Sequence, residues 1–281
     1  MPRIDAHQHF WRYDPAGYGW IDDRMAALKR DFLPPDLLPL LQRLGFDGCI
    51  AVQACHTLDE TLFLLDLAHR FDFIRGVVGW VDLCSPDVAS QLEPLARDPK
   101  LVGIRHVVQA EPDDEFMLRA DFRRGIGLLA EFGLAYDILV YPRQLRAARL
   151  LVDEFPEQRF VLDHIAKPLI AEGVLAPWRD DVRSLAAQSN LFCKLSGMVT
   201  EAQWNRWSPA DFRPYLDVVF EAFGPQRLMI GSDWPVCTLA ADYRSTMQIV
   251  LAYISKLPVD QQDAILGGNC PAFYRLAPND P

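Results

Sequence analysis

Short apolar runs recur along the chain, and most are followed by a stretch whose apolar residues return every three or four positions. The runs lie at 3–9, 48–54, 74–81, 101–107, 134–140, 159–164, 191–196 and 227–232. Several are near-continuous in hydrophobic residues, which predicts parallel strands packed inside and covered outside. Helical spacing fills the gaps. Residues 58–71 bring Leu62, Phe63 and Leu65 to one face. Ser85-Pro86-Asp87 reads as a cap with proline in the first turn, ahead of Val88, Leu92 and Leu95. Phe122, Ile126, Leu129 and Phe132 form a stripe that stops at Gly133. Leu145, Ala148, Leu151, Val152 and Phe155 repeat it, and so do Phe212, Tyr215, Leu216, Val219 and Phe223 between Ser208-Pro209 and Gly224. Asn269-Cys270-Pro271 starts a short final helix carrying Phe273 and Tyr274.

Eight strands alternating with helices predict a single (β/α)8 barrel spanning 1–281 as one domain. The competing doubly wound sheet would want a glycine-rich turn after its first strand, where this chain has His7-Gln8-His9-Phe10-Trp11. Segment 10–47, with Pro15, Pro34, Pro35 and Pro39, is expected to cover the top of the barrel before the first helix.

Composition narrows the function. The 281 residues are 50% hydrophobic and 23% charged, enough to bury a large core. A net charge of −10 without a basic run argues against nucleic acid or an anionic membrane as partner. No apolar run approaches the ~18 residues of a membrane span. The start, Met-Pro-Arg-Ile-Asp-Ala-His, lacks the features of a signal peptide. Six scattered cysteines without a C-x-x-C pair read as reduced thiols, so the expected location is cytoplasmic.

The candidate chemistry gathers at strand ends, which in a barrel of this type form the active-site mouth. Residues two apart on a strand share a face, so His7 and His9 point together from the end of the first strand. They can ligate one metal ion or donate to one substrate carbonyl. His164 closes the sixth strand and Asp233 the eighth. Arg105 ends the fourth: it either pairs with a structural carboxylate or faces the mouth as an anion or oxyanion donor. His106 should point the other way and pack. Lys167 can reach a substrate oxygen or stand solvated. Trp11, Trp80, Tyr141 and Trp234 follow strand ends, where rings can stack on a sugar's C–H face or pack in the core. Gln53 and His56 are weaker polar candidates.

The motifs D-A-H-Q-H-F-W at 5–11, G-I-R-H at 103–106, D-H-I-A-K-P at 163–168, K-L-S-G at 194–197, G-S-D-W-P at 231–235 and G-G-N-C-P-A-F-Y at 267–274 span the chain. In this combination it resembles the amidohydrolase superfamily, in the branch of sugar-lactone and pyrone-dicarboxylate lactonases. The resemblance implies that His7, His9, His164 and Asp233 are the metal-binding positions. No strand offers an obvious bridging lysine or glutamate, so one divalent metal, zinc first, or none is expected rather than two. Asp233 is expected to act as the acid–base, with His9 and His164 beside it, and Arg105, Lys167, Tyr141, Trp11, Trp234 and Gln53 are expected around the substrate. Few further cations stand at strand ends, which favours a neutral sugar lactone over a dicarboxylate, and the resemblance implies L-fuconolactone or L-rhamnonolactone as first substrates. A metal-dependent amidase or deaminase, a decarboxylase and a non-catalytic sugar-binding barrel are the alternatives. A homo-oligomer is compatible with all of them.

Overall fold

The computed structural model of the protein describes residues 1–277. The expected domain also took in 278–281, which lie outside the described residues. Eight parallel strands, β1 (Ile4–Gln8), β2 (Gly48–Val52), β3 (Ile74–Gly79), β4 (Leu101–His106), β5 (Ala135–Ile138), β6 (Phe160–Leu162), β7 (Leu191–Leu195) and β8 (Leu228–Ile230), follow one another in order around one sheet. Each lies inside a predicted segment. The helices α1 (Pro34–Leu44), α2 (Leu58–Arg70), α3 (Val88–Leu95), α4 (Ala120–Leu129), α5 (Leu145–Glu154), α6 (Trp178–Ala186), α7 (Pro209–Phe223) and α8 (Tyr243–Ile254) cover the outside, and α9 (Val259–Asp263) and α10 (Asn269–Tyr274) follow. The fold is a (β/α)8 barrel.

Two local expectations change. Segment 10–47 is not cover alone, because its last third is α1. Pro34 and Pro35 occupy the first helical positions, where a missing N–H costs nothing, and Asp36 accepts from the Leu33 amide at 2.9 Å. In α3 the cap falls on Asp87 rather than Ser85, whose hydroxyl instead accepts from the Asp87 amide at 3.1 Å.

The seam between β8 and β1 closes through a single bridge. The Asp233 amide donates to the His7 carbonyl at 2.8 Å, and the His9 amide donates to the Trp234 carbonyl at 2.7 Å. Buried Asp5 reinforces it, accepting from the Ser232 amide at 2.9 Å and from the Tyr243 hydroxyl of α8 at 3.1 Å. At the opposite end α10 packs Cys270, Phe273 and Tyr274 against Ile4, Val102 and Ala135, sealing the amino-terminal mouth of the barrel. Among the described residues no helix is long and apolar enough to cross a membrane.

Candidate active site

A bulge in β1 sets the first two imidazoles. Between the pairs Asp5–Cys49 and Gln8–Ala51, β1 spends one residue more than β2. Simple alternation would put Asp5 and His7 on one face. Instead Asp5 bonds α8 outside the sheet, while His7 meets Lys194, Asp163 and Arg105 inside it. His9 stays on the His7 side.

His164 is presented by unusual backbone. Residues 164–167 all have positive φ, between 48° and 60°, and so does Asp233 at 57°. Left-handed geometry costs an L-residue ~1–2 kcal/mol. The turn is pinned from behind by the Trp178 indole N–H, which donates to the Ile165 carbonyl at 2.8 Å. Gly197 lets the ring approach, since a Cβ there would stand 2.4 Å from His164 Nδ1.

Four side chains converge. Asp233 Oδ1 lies 3.2 Å from His9 Nε2, 3.8 Å from His164 Nε2 and 3.9 Å from His7 Nε2, and His7 and His9 approach Nε2 to Nε2 at 3.3 Å. The far nitrogens are held: His9 Nδ1 by the Val52 carbonyl at 2.7 Å, and His164 Nδ1 by the Ser196 hydroxyl at 2.9 Å. His7 Nδ1 lies 3.2 Å from Asp163, while the Arg105 guanidinium, which can only donate, stands 3.3 Å from its Nε2. His9 therefore carries its proton on Nδ1 and turns a bare Nε2 lone pair inward, while both nitrogens of His7 face cationic donors, Lys194 at Nδ1 and Arg105 at Nε2.

Burial pushes the pKa of His7 down, more than the Asp163 carboxylate restores; burial lowers that of His164 as well, against Asp233. Both rings are neutral, as metal ligands must be. Burial alone would raise the Asp233 carboxyl, but the surrounding imidazoles and Lys167 hold it below the usual carboxylate range.

The donor set fits a divalent ion. His7, His164 and Asp233 each offer a ligand atom within 4.8 Å of the others. His9 adds a fourth, and its contacts of 3.2 and 3.3 Å match the ~3.4 Å edge of a tetrahedron with bonds of ~2.1 Å. The bare His9 Nε2 also faces an ionised carboxylate oxygen at 3.2 Å. Two acceptors that close call for a cation between them.

Below the cluster lies a layer of buried charge. Lys194 of β7 reaches Asp137 of β5 at 2.5 Å and Asp163 at 3.1 Å, and Arg105 bonds Asp163 at 3.0 Å. Burial opposes ionisation of Asp163, but Lys194, His7 and Arg105 hold its pKa well below the usual range. Lys194 is the one lysine on the strands, and these carboxylates occupy it.

Above the cluster a cavity of about 650 Å³ opens at the carboxyl ends of the strands, with His9, His164 and Asp233 on its wall. Arg105 pairs with Asp163 and also borders the cavity. Gln53 does not reach the wall; its Oε1 accepts from Arg105 at 2.9 and 3.1 Å, and its carbonyl accepts too, so it orients the guanidinium. Lys167 and Tyr141 do line the cavity, with Lys167 bound to Glu201 at 2.6 Å and 5.7 Å above the Tyr141 ring.

Trp11 and Trp234 are corrections to the expected substrate wall. Trp11 is wholly buried and donates to the Arg30 carbonyl, and both indoles pack edge-on against Phe32 in the core. Trp20 and Trp204 border the cavity instead. Both belong to loops, where neither periodicity nor position relative to a strand marks them. Lys194, Asp137 and Glu201 were likewise not anticipated. An Asp and a Lys at inward positions of otherwise apolar strands were the available signal for the first two.

The amidohydrolase family model matches residues 4–276, and the chain belongs to that family. It is 45% identical to the L-fucono-1,5-lactonase of Burkholderia multivorans, over 98% of this chain and 96% of that one. It is 41% identical to the L-fucono-1,5-lactonase of Burkholderia ambifaria, again over 98% and 96%. The solved structure of a Burkholderia multivorans amidohydrolase, described as having bound zinc, is 44% identical and superposes with a TM-score of 0.95, covering 99% of this chain and all of that one.

Proposed function

We propose that the protein is a lactonase that opens the ring of a neutral sugar lactone, with L-fucono-1,5-lactone the first substrate to test. The observation that carries this reading is the Asp233 carboxylate, ionised and set 3.2–3.9 Å from three imidazole nitrogens at the floor of the cavity. Ring opening needs water deprotonated, the carbonyl polarised and the departing ring oxygen protonated. Asp233 takes the proton from the attacking water and returns it to the leaving oxygen. His7, His9, His164 and Asp233 would hold a divalent ion, zinc in this reading; when bound, it supplies Lewis acidity to the lactone carbonyl. Arg105, fixed by Gln53 and Asp163, places its guanidinium next to His7 and beside the developing oxyanion.

The charge balance of the wall supports a neutral substrate. Its two permanent cations, Arg105 and Lys167, are already matched by Asp163 and Glu201. A dicarboxylate would need cations free to grip it. Lys167, Glu201 and Tyr141 suit hydroxyl groups, and Trp20 and Trp204 suit a sugar's C–H face.

A pH-indicator assay of L-fucono-1,5-lactone against 2-pyrone-4,6-dicarboxylate, with and without chelator, tests the proposal. Turnover of the neutral lactone alone, lost on chelation and restored by Zn²⁺, is expected. Preference for the dicarboxylate would overturn the substrate class, and full activity after verified metal removal would overturn the role of the ion.

A further inference from the structure

The molecule holds a second histidine pair, 56 and 106, that the chemistry above does not use. His56 follows β2 and borders the same cavity as Asp233. Four rings stack in sequence beside it. Trp80 and His56 lie 5.6 Å apart at 14°, His56 and His106 4.3 Å at 26°, and His106 and Phe116 5.0 Å at 13°. Both nitrogens of His106 are taken: Nε2 lies 2.7 Å from Glu111, and Nδ1 accepts from the Trp80 indole at 3.4 Å.

His56 differs at one atom. Its Nε2 accepts from the Val107 backbone amide at 2.9 Å. A backbone N–H only donates, so this bond fixes the tautomer with the proton on Nδ1. Among the described residues that Nδ1–H has no hydrogen-bond partner, while the ring borders the cavity. Burial, with repulsion from His106 and Arg105, pushes the pKa down to about 3, so the ring is neutral near pH 7. Its backbone is anchored too. Buried Glu60 accepts from the Ala54 amide at 2.9 Å and the Cys55 amide at 2.7 Å, immediately before His56.

We propose that His56 is a specificity-determining residue whose fixed Nδ1–H donates to a hydroxyl oxygen of the lactone, held in aim by the Trp80–His56–His106–Phe116 stack and the Val107 amide. The proposal rests on the lactonase reading and adds a requirement of its own: the residue should matter for hydroxylated rings and not for bare ones. A neutral donor suits an uncharged polyol, and a site built to bond a hydroxyl discriminates against a ring that lacks it.

The test compares kcat/KM on L-fucono-1,5-lactone and on unsubstituted δ-valerolactone for the wild type, His56→Phe and His56→Asn. Phenylalanine keeps the stack and removes the donor. Asparagine, like phenylalanine, gives up the acceptor at the Nε2 position but keeps an N–H close to Nδ1. Loss of one neutral hydrogen bond predicts a drop of roughly ten-fold for His56→Phe on the fuconolactone, carried by KM. On δ-valerolactone the change should stay within about two-fold, and His56→Asn should recover most of the loss. Should the phenylalanine variant fail to fold, His56→Gln, which offers Val107 an acceptor near the Nε2 position and leaves no N–H at Nδ1, is read in the same way. Equal losses on both lactones, or an unchanged ratio between them, would overturn the proposal. A wild type that hydrolyses neither lactone is a different result, visible before any variant is made, and defeats the lactonase reading together with this one.

Discussion

Lys194 and Met229 sit side by side in register on β7 and β8, both buried, yet they belong to different halves of the barrel. Met229 joins Ile4, Val52, Val102 and Val161 in an apolar interior sealed below by α10. Lys194 extends toward the mouth, into Asp137, Asp163 and His7. The lower half is filled by packing that any residues of suitable volume could provide. The upper half takes buried charges, each costly to desolvate, and links them so that each holds another in place. Both halves contribute stability, but only the upper one orients the reacting groups.

The largest expected effect separates chemistry from folding altogether. Asp233→Asn should lower kcat on the lactone by at least ~10³-fold, since it removes the proton acceptor, while thermal unfolding stays close to wild type. A near-normal rate would remove Asp233 from the mechanism. Lys194→Met comes next. It leaves buried Asp137 without a cation and Asp163 with Arg105 alone, and should cost ~3–5 kcal/mol in denaturant unfolding. It should also lower kcat, because His7 loses its setting. Met229→Ala is the matched change below, costing ~2–5 kcal/mol with kcat unaltered in the protein that remains folded. If both variants lost activity in proportion to stability, the division between the halves would not hold.

Gly197→Ala probes geometry alone. The added methyl would meet His164 Nδ1, at a residue with φ of +61°. Displacing the ring by ~1 Å predicts ~10²-fold lower kcat, with a loss of ~1–2 kcal/mol in stability for the left-handed alanine. The smallest effect concerns pH. Burial lifts the Glu60 carboxyl from its usual 4.5 to about 7, against opposing bonds from the Cys55 amide, Tyr18 and the Ala54 amide. Because the folded value is the higher one, the stability this group contributes is fully present below pH 4.5 and is lost as pH rises through 7. Wild type should therefore lose on the order of 1–3 kcal/mol across that window, and a Glu60→Gln variant should lack that part of the slope.

These contrasts also explain what the sequence could reveal. Every strand was legible because a strand enclosed in a barrel is apolar on both faces, a local property of 48–52 or 135–138 as much as of 228–230. His7, His9, His164 and Asp233 were legible because the fold sends all strand ends to one rim. The coupling of Lys194 to Asp137 was not, because partners on different strands leave no local pattern. The β1 bulge was hidden for a related reason: it is a register between two strands. Prolines misled in 10–47, since Pro34 and Pro35 look like loop formers and are helix starters. Trp11 and Trp234 satisfied the rule that aromatics past strand ends serve the mouth, but Phe32 draws both into the core.

The single bridge at the barrel seam has a consequence for synthesis. His7 and His9 are translated well before the backbone partners that complete the ring, at residues 233 and 234. Until then the nascent sheet keeps an exposed edge, the form most prone to pairing with a neighbouring chain. The same two hydrogen bonds that end this exposure bring the Asp233 carboxylate to the imidazoles, so a polypeptide truncated ahead of them has neither a closed ring nor a reaction centre.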